Sequence, residues 1–123
     1  MNPEIQVQHL NSSQIHPFEW GQLTWFADRN IGNSVEMTVG RCVLKKGQGN
    51  PRHYHPNCTE ILVVIEGRIS HTSGRNEETE MGEGDTVTVP ANTWHCARNI
   101  GPWEAVLFIA FSSADRQTIG EQP

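Results

Sequence analysis

Apolar and polar positions along this chain alternate with period two in a series of short runs. Gly, Pro and Asn turns separate the runs at intervals of about ten residues. Residues 34–44 (SVEMTVGRCVL) show the clearest alternation, with Val35, Met37, Val39 and Val43 on one face and Glu36, Thr38 and Cys42 on the other. The apolar face of that strand is expected to turn inward. Residues 59–66 and 104–111 differ, because they are apolar on both faces and need cover on two sides. One side is expected to pack inside a sandwich and the other against a second copy, which makes the chain a homodimer. Shorter strands are expected at 22–27, 68–72, 77–81 and 86–89, with a weak one at 5–9. No amphipathic helical pattern interrupts them. The fold class is therefore all-β, an antiparallel β-sandwich or barrel.

Length and composition narrow the reading. A chain of 123 residues makes one domain, here with a polar arm at 1–17, the β-domain at 18–111 and a polar, aperiodic tail at 112–123 that is expected to fray. Net charge is −5, and the nine Lys and Arg are scattered, so neither a nucleic-acid footprint nor a polybasic membrane patch is expected and the partner should be a small molecule. Three cysteines, Cys42, Cys58 and Cys96, form no CxxC pair and fit reduced thiols in a cytoplasm. Cys58 and Cys96 are read as small buried hydrophobes. The N-terminal residues lack the basic start and apolar core of a secretion signal, and the longest apolar run, 105–111, is too short to span a bilayer. Trp20, Trp25 and Phe26 are read as packing residues of the core or the dimer interface.

The chemistry concentrates in residues 47–67, GQGNPRHYHPNCTEILVVIEG. On an extended segment, His53 and His55 would share a face about 6–7 Å apart, with Tyr54 turned away. A turn at Pro56-Asn57 then lets Glu60, the first carboxylate of the next strand, come back to an ion that the histidines hold. His95, downstream, supplies a fourth ligand. Three imidazoles and a carboxylate suit one divalent transition metal ion (Fe, Mn, Ni, Cu, Co or Zn) and leave coordination positions open, as a catalytic site does. Arg41 sits among valines in the alternation, so it is expected either to pair with an internal carboxylate, to be turned outward by a bulge, or to anchor a substrate anion beside the ion. His71 shares a face with Ile69 and is read as a surface or hydrogen-bonded histidine, not a ligand.

Two motifs carry a resemblance. Gly47, five residues, His53, one, His55, four, Glu60, six, Gly67 matches the first motif of the cupin superfamily in full. Gly84, five residues, Pro90, then His95 and Asn99 resembles the second, except that Asn92 stands where the family usually has glycine. Asn accepts left-handed backbone better than most residues, so this departure touches a turn and not the metal. The resemblance implies a jelly-roll barrel of the small, single-domain cupin type and a metal site at His53, His55, Glu60 and His95. It leaves the reaction open, since cupins include dioxygenases, isomerases, lyases, cyclases and non-catalytic binders. The leading expectation is a metal-dependent dioxygenase acting on a small oxygenated molecule, with Glu60 and Arg41 as catalytic residues. The alternatives are a binding module for a sugar or carboxylate and a metal-dependent lyase, isomerase or cyclase.

Overall fold

Segments apolar on both faces, as residues 59–66 and 104–111 are, build strands whose two faces meet different surroundings, and the structure shows both. The computed structural model describes residues 4–120. Its strands are β1 (Ile15–Phe18), β2 (Gly21–Ala27), β3 (Thr38–Leu44), β4 (His53–Tyr54), β5 (Glu60–Glu66), β6 (Ile69–Ser73), β7 (Glu77–Met81), β8 (Thr86–Val89), β9 (His95–Asn99), β10 (Ala105–Phe111) and β11 (Ile119–Gly120). They form two antiparallel sheets, of order β1-β2-β3-β10-β5-β8 and β11-β4-β9-β6-β7. The sheets pack as a sandwich and do not close by hydrogen bonding into one barrel. Among the described residues no helix is long and apolar enough to cross a membrane.

The core lies between the sheets. Leu44, Val64, Ile69 and Leu107 are fully buried there, and Leu62, Ile109 and Phe111 join them. On β5, Glu60, Leu62 and Val64 face inward, while Ile61 and Ile65 are exposed; on β10, Leu107, Ile109 and Phe111 face inward and Phe108 is exposed. The two-sided strands thus leave an apolar stripe on the outside of the six-stranded sheet.

β3 departs from expectation. Its inward face is Thr38, Gly40, Cys42 and Leu44, and Val39 and Arg41 lie on the other face. The strand also starts later than the alternation implied, so Val35 and Met37 are exposed in the preceding loop. The small inner residues are required by Trp25 on β2, which lies across the strand: a Cβ at Gly40 would stand 2.5 Å from the Trp25 ring. Packing of a large ring over a glycine decided the orientation, which hydrophobicity alone had reversed.

Both ends of the chain also differ from the sequence reading. Residues 4–9 form no strand, and the arm pairs instead through β1, which spans the expected boundary at residue 17. The tail is tied down. Ile119 and Gly120 pair with Tyr54 and His53, Asn57 Nδ2 donates to the Asp115 carbonyl at 2.9 Å, and Gln117 N–H donates to Asn57 Oδ1 at 3.0 Å. These bonds use main-chain groups and one turn asparagine, so no side-chain periodicity announced them. Residues 121–123 of the tail and residues 1–3 of the arm lie outside the described residues.

Candidate metal centre

Strand pairing brings the four expected ligands to one end of the sandwich. β4 and β9 set His53 directly opposite His95, and β5 begins at Glu60. His55 follows β4, and its carbonyl accepts the Asn92 N–H at 3.0 Å. Asn92 has φ 63°, the left-handed conformation that glycine would otherwise supply. One potential ligand atom from each of His53, His55, Glu60 and His95 lies within 4.8 Å of the others. His55, Glu60 and His95 are buried and His53 is half-buried, while Tyr54 turns away to meet the Trp94 ring at 4.7 Å.

Hydrogen bonds on the far side of each ring fix which nitrogen faces the centre. His53 Nδ1 meets the Pro51 carbonyl at 2.7 Å, and His55 Nδ1 meets the Gln117 carbonyl at 2.9 Å. A carbonyl only accepts, so both Nδ1 atoms carry hydrogen and both neutral rings present an Nε2 lone pair inward. His95 Nδ1 lies 3.0 Å from His71 Nε2. Glu60 Oε1 then stands 3.1 Å from both His55 Nε2 and His95 Nε2, and the latter has no hydrogen-bond partner of good geometry. Lone pairs converge on a buried carboxylate, so a positive species must sit among them, either a proton or a metal ion. The donor set fits one divalent ion, and His53, His55, Glu60 and His95 form a candidate site for it.

The electrostatics agree with that assignment. Burial, then the neighbouring His95, lowers His53 to about 4, so its ring is neutral and ready to ligate at neutral pH. Burial pushes Glu60 up, but the close approach of the His55 and His95 rings outweighs it and holds the carboxyl at about 2. A carboxylate held that low is a ligand and a poor base. Cys42, in the same pocket, is pushed up to about 12 by burial and by Glu60, and stays a thiol.

His53, His55 and Glu60 open onto a cavity of about 290 Å³. Leu62, Leu107, Ile109 and Phe111 form much of its wall, together with Trp20 and Trp25, which pack against the core, one of their two expected roles. Only Phe26 of the three aromatics joins the outer sheet face, edge-on to Phe108 at 6.2 Å. Arg41 is not in the pocket. Its partners in register are Thr24 and Phe108, its guanidinium carbon lies 5.7 Å from the Phe26 ring centre, and it borders a groove beneath the arm residues Leu10 and Ile15. The expected substrate anchor is therefore on the wrong side of the sheet, because the face assigned to β3 was inverted.

Two further residues stand at the site. His71 is 2% exposed and meets His95 Nδ1 at 3.0 Å, so of its two readings, surface or hydrogen-bonded, the structure shows the second. Its inward parity with Ile69 on β6, next to β9, was the available signal. Arg116 comes from the tail, lines the pocket and gave no periodic signal at all.

Comparison with known proteins places the fold. A family model for the cupin domain matches residues 40–111. The chain belongs to this family. This cupin is 35% identical to germin-like protein 3-8 of Oryza sativa subsp. japonica over 85 residues, 66% of this chain and 38% of that protein. It thus spans well under half the length of that relative. The solved oxalate decarboxylase of Lactobacillus farciminis, a formate complex, superposes with TM-score 0.84 at 19% identity, over 91% of this chain and 34% of that one. A solved oxalate oxidase superposes with TM-score 0.74 at 24% identity, over 81% of this chain and 54% of that one. At these identities the structural likeness speaks to the fold.

Proposed function

We propose that this cupin is a metal-dependent enzyme that acts on a small oxygenated organic molecule, with dioxygenase chemistry as its activity. The observation that carries the reading is the inward convergence of three imidazole Nε2 atoms and the Glu60 carboxylate at the wall of a largely apolar cavity. A divalent ion bound there would supply Lewis acidity and, when redox-active, the electron transfer that dioxygen chemistry needs. The protein's own part is to hold and to exclude. His53, His55 and His95 are pinned by the Pro51 carbonyl, the Gln117 carbonyl and His71, so the ligand set is preorganised. Leu62, Leu107, Ile109 and Phe111 keep bulk water from the reacting atoms. Glu60, held near 2, serves as a ligand in this reading. The oxalate oxidase and oxalate decarboxylase among the structural neighbours act on a small oxygenated acid, which supports the substrate class.

The test is oxygen uptake by protein reconstituted with Fe(II), Mn(II), Ni(II), Cu(II), Co(II) or Zn(II) and offered diketones, flavonols and small carboxylates. Substrate-dependent uptake that Glu60→Ala abolishes is expected. Turnover without uptake would move the reading to a lyase, isomerase or cyclase, and tight binding without turnover would make the protein a binding module.

The same reading includes a homodimer in the cytoplasm. Exposed Ile61, Ile65 and Phe108 on the outer sheet face support a second copy there, and the free thiols of Cys42 and Cys58 support a reducing compartment. Sedimentation at micromolar concentration tests the first, and thiol titration of protein from the native source tests the second.

A further inference from the structure

Arg116 is the one guanidinium among the described residues that line the metal pocket, and Glu60 is the one carboxylate. The Arg116 guanidinium carbon lies 4.3 Å from the Trp25 ring centre and 5.3 Å from that of Phe111. His55 meets the same Phe111 ring at 4.8 Å, so the arginine and a metal ligand flank one side chain. Nη1 donates to Thr118 Oγ1, and Arg116 makes no ion pair among the described residues. A guanidinium has five N–H donors in a planar fork, so most remain free for a ligand. Glu60 cannot serve as its partner once a divalent ion takes it: ion and carboxylate together keep a net positive charge, and Arg116 adds another. Two positive centres facing one largely apolar cavity are stabilised when an anion enters between them.

We infer that Arg116 anchors a carboxylate of the substrate, and that the pocket takes a short carboxylic acid whose other oxygens reach the metal. The inference rests on the metal-site reading above and adds to it a substrate class and a specificity residue. The rings of Trp25 and Phe111 fix the plane of the guanidinium and thereby the direction of approach. The backbone of the segment is held as well, since Gln117 bonds to His55 and Asn57 and β11 pairs with β4. Anchor and metal ligand are therefore positioned by the same strap of chain.

The experiment titrates Mn(II)-loaded protein calorimetrically with malate and with 2-hydroxyglutarate, and with each acid's distal monoamide. The hydroxy-acid end can chelate the metal in every probe, so only the distal charge differs. At least one acid is expected to bind about tenfold or more tightly than its amide. In Arg116→Met that gap should fall below about twofold with metal content unchanged, whereas Arg116→Lys should keep part of it. Wild-type protein that binds acid and amide alike overturns the anchor and leaves the metal-enzyme reading standing, and this result needs no variant to fold. Failure of every acid to bind likewise overturns the anchor. A gap that persists undiminished in folded Arg116→Met assigns the charge recognition elsewhere and overturns it too. Protein that shows the gap but turns over no substrate keeps the anchor and refutes the enzyme.

Discussion

Replacing His71 with phenylalanine should weaken metal binding although His71 is not a ligand. For His95 to offer its Nε2 lone pair to an ion, its Nδ1 must carry hydrogen, and His71 Nε2, 3.0 Å away, accepts it. Both rings are 2% exposed, so no bulk water can replace the lost acceptor. A buried N–H left unpaired costs about 1–3 kcal/mol. The metal-free site escapes much of that cost, because His95 can move its proton to Nε2, which faces the Glu60 carboxylate 3.1 Å away. The penalty therefore falls on the metal-bound form, and the ion's Kd should rise about 10–100-fold. Competition with a chromophoric chelator at pH 7 reads this directly. His71→Gln, which returns an acceptor oxygen, should recover part of the loss, and thermal unfolding of the metal-free variants separates metal affinity from fold stability. Folded His71→Phe protein that binds metal as tightly as the wild type would refute the reasoning. So would a glutamine variant no better than the phenylalanine one.

Three further outcomes are expected. Burial first and then His95 lower both His53 and His71 to about 4, so between about 6.5 and 4 the unfolded chain binds more protons than the folded one; metal-free protein should keep its full stability above 6.5 and lose up to ~3 kcal/mol per histidine as pH falls to 4, and an unfolding midpoint flat over that window contradicts this. Asn99→Ala should destabilise the fold by about 2–4 kcal/mol, since the buried amide donates to the Leu44 and Trp103 carbonyls at 3.0 and 2.7 Å and accepts the Gly101 N–H at 2.9 Å; denaturant unfolding measures it. Phe108→Glu on the exposed outer face should convert a dimer to a monomer in sedimentation, with metal content unchanged, because Phe108 and the ligands lie on opposite faces of the sheet.

How far the sequence carried depended on how locally each feature is encoded. The metal ligands were legible because His53, His55 and Glu60 are close in sequence and His95 lies in a second short motif, so spacing alone brings them near one another. Asn99 was legible as a motif position, and the structure supplies the reason in its three buried hydrogen bonds. The two-sided apolar character of β5 and β10 was legible, and the structure shows one face of each in the core and the other outside. β3 did not, because an apolar residue stands on either side and the choice was made by Trp25 lying over Gly40 from another strand. Arg41 was misplaced with it. The tail was misread because its attachment rests on the Gln117 carbonyl, Asn57 and a two-residue strand, none of which leaves a periodic trace. With the tail went Arg116, and the hydrogen-bond partner of His71 was not legible because it comes from a neighbouring strand.

The central claim is that His53, His55, Glu60 and His95 hold one divalent ion through three Nε2 atoms and a carboxylate oxygen. Anomalous diffraction at the absorption edge of the bound metal, from crystals of protein purified without chelating resin and saturated with Mn(II), tests it most directly. The account predicts a single strong peak within about 2.0–2.3 Å of those four atoms, and its loss in His95→Ala. No peak at saturating metal, or a peak held by other residues, would contradict it.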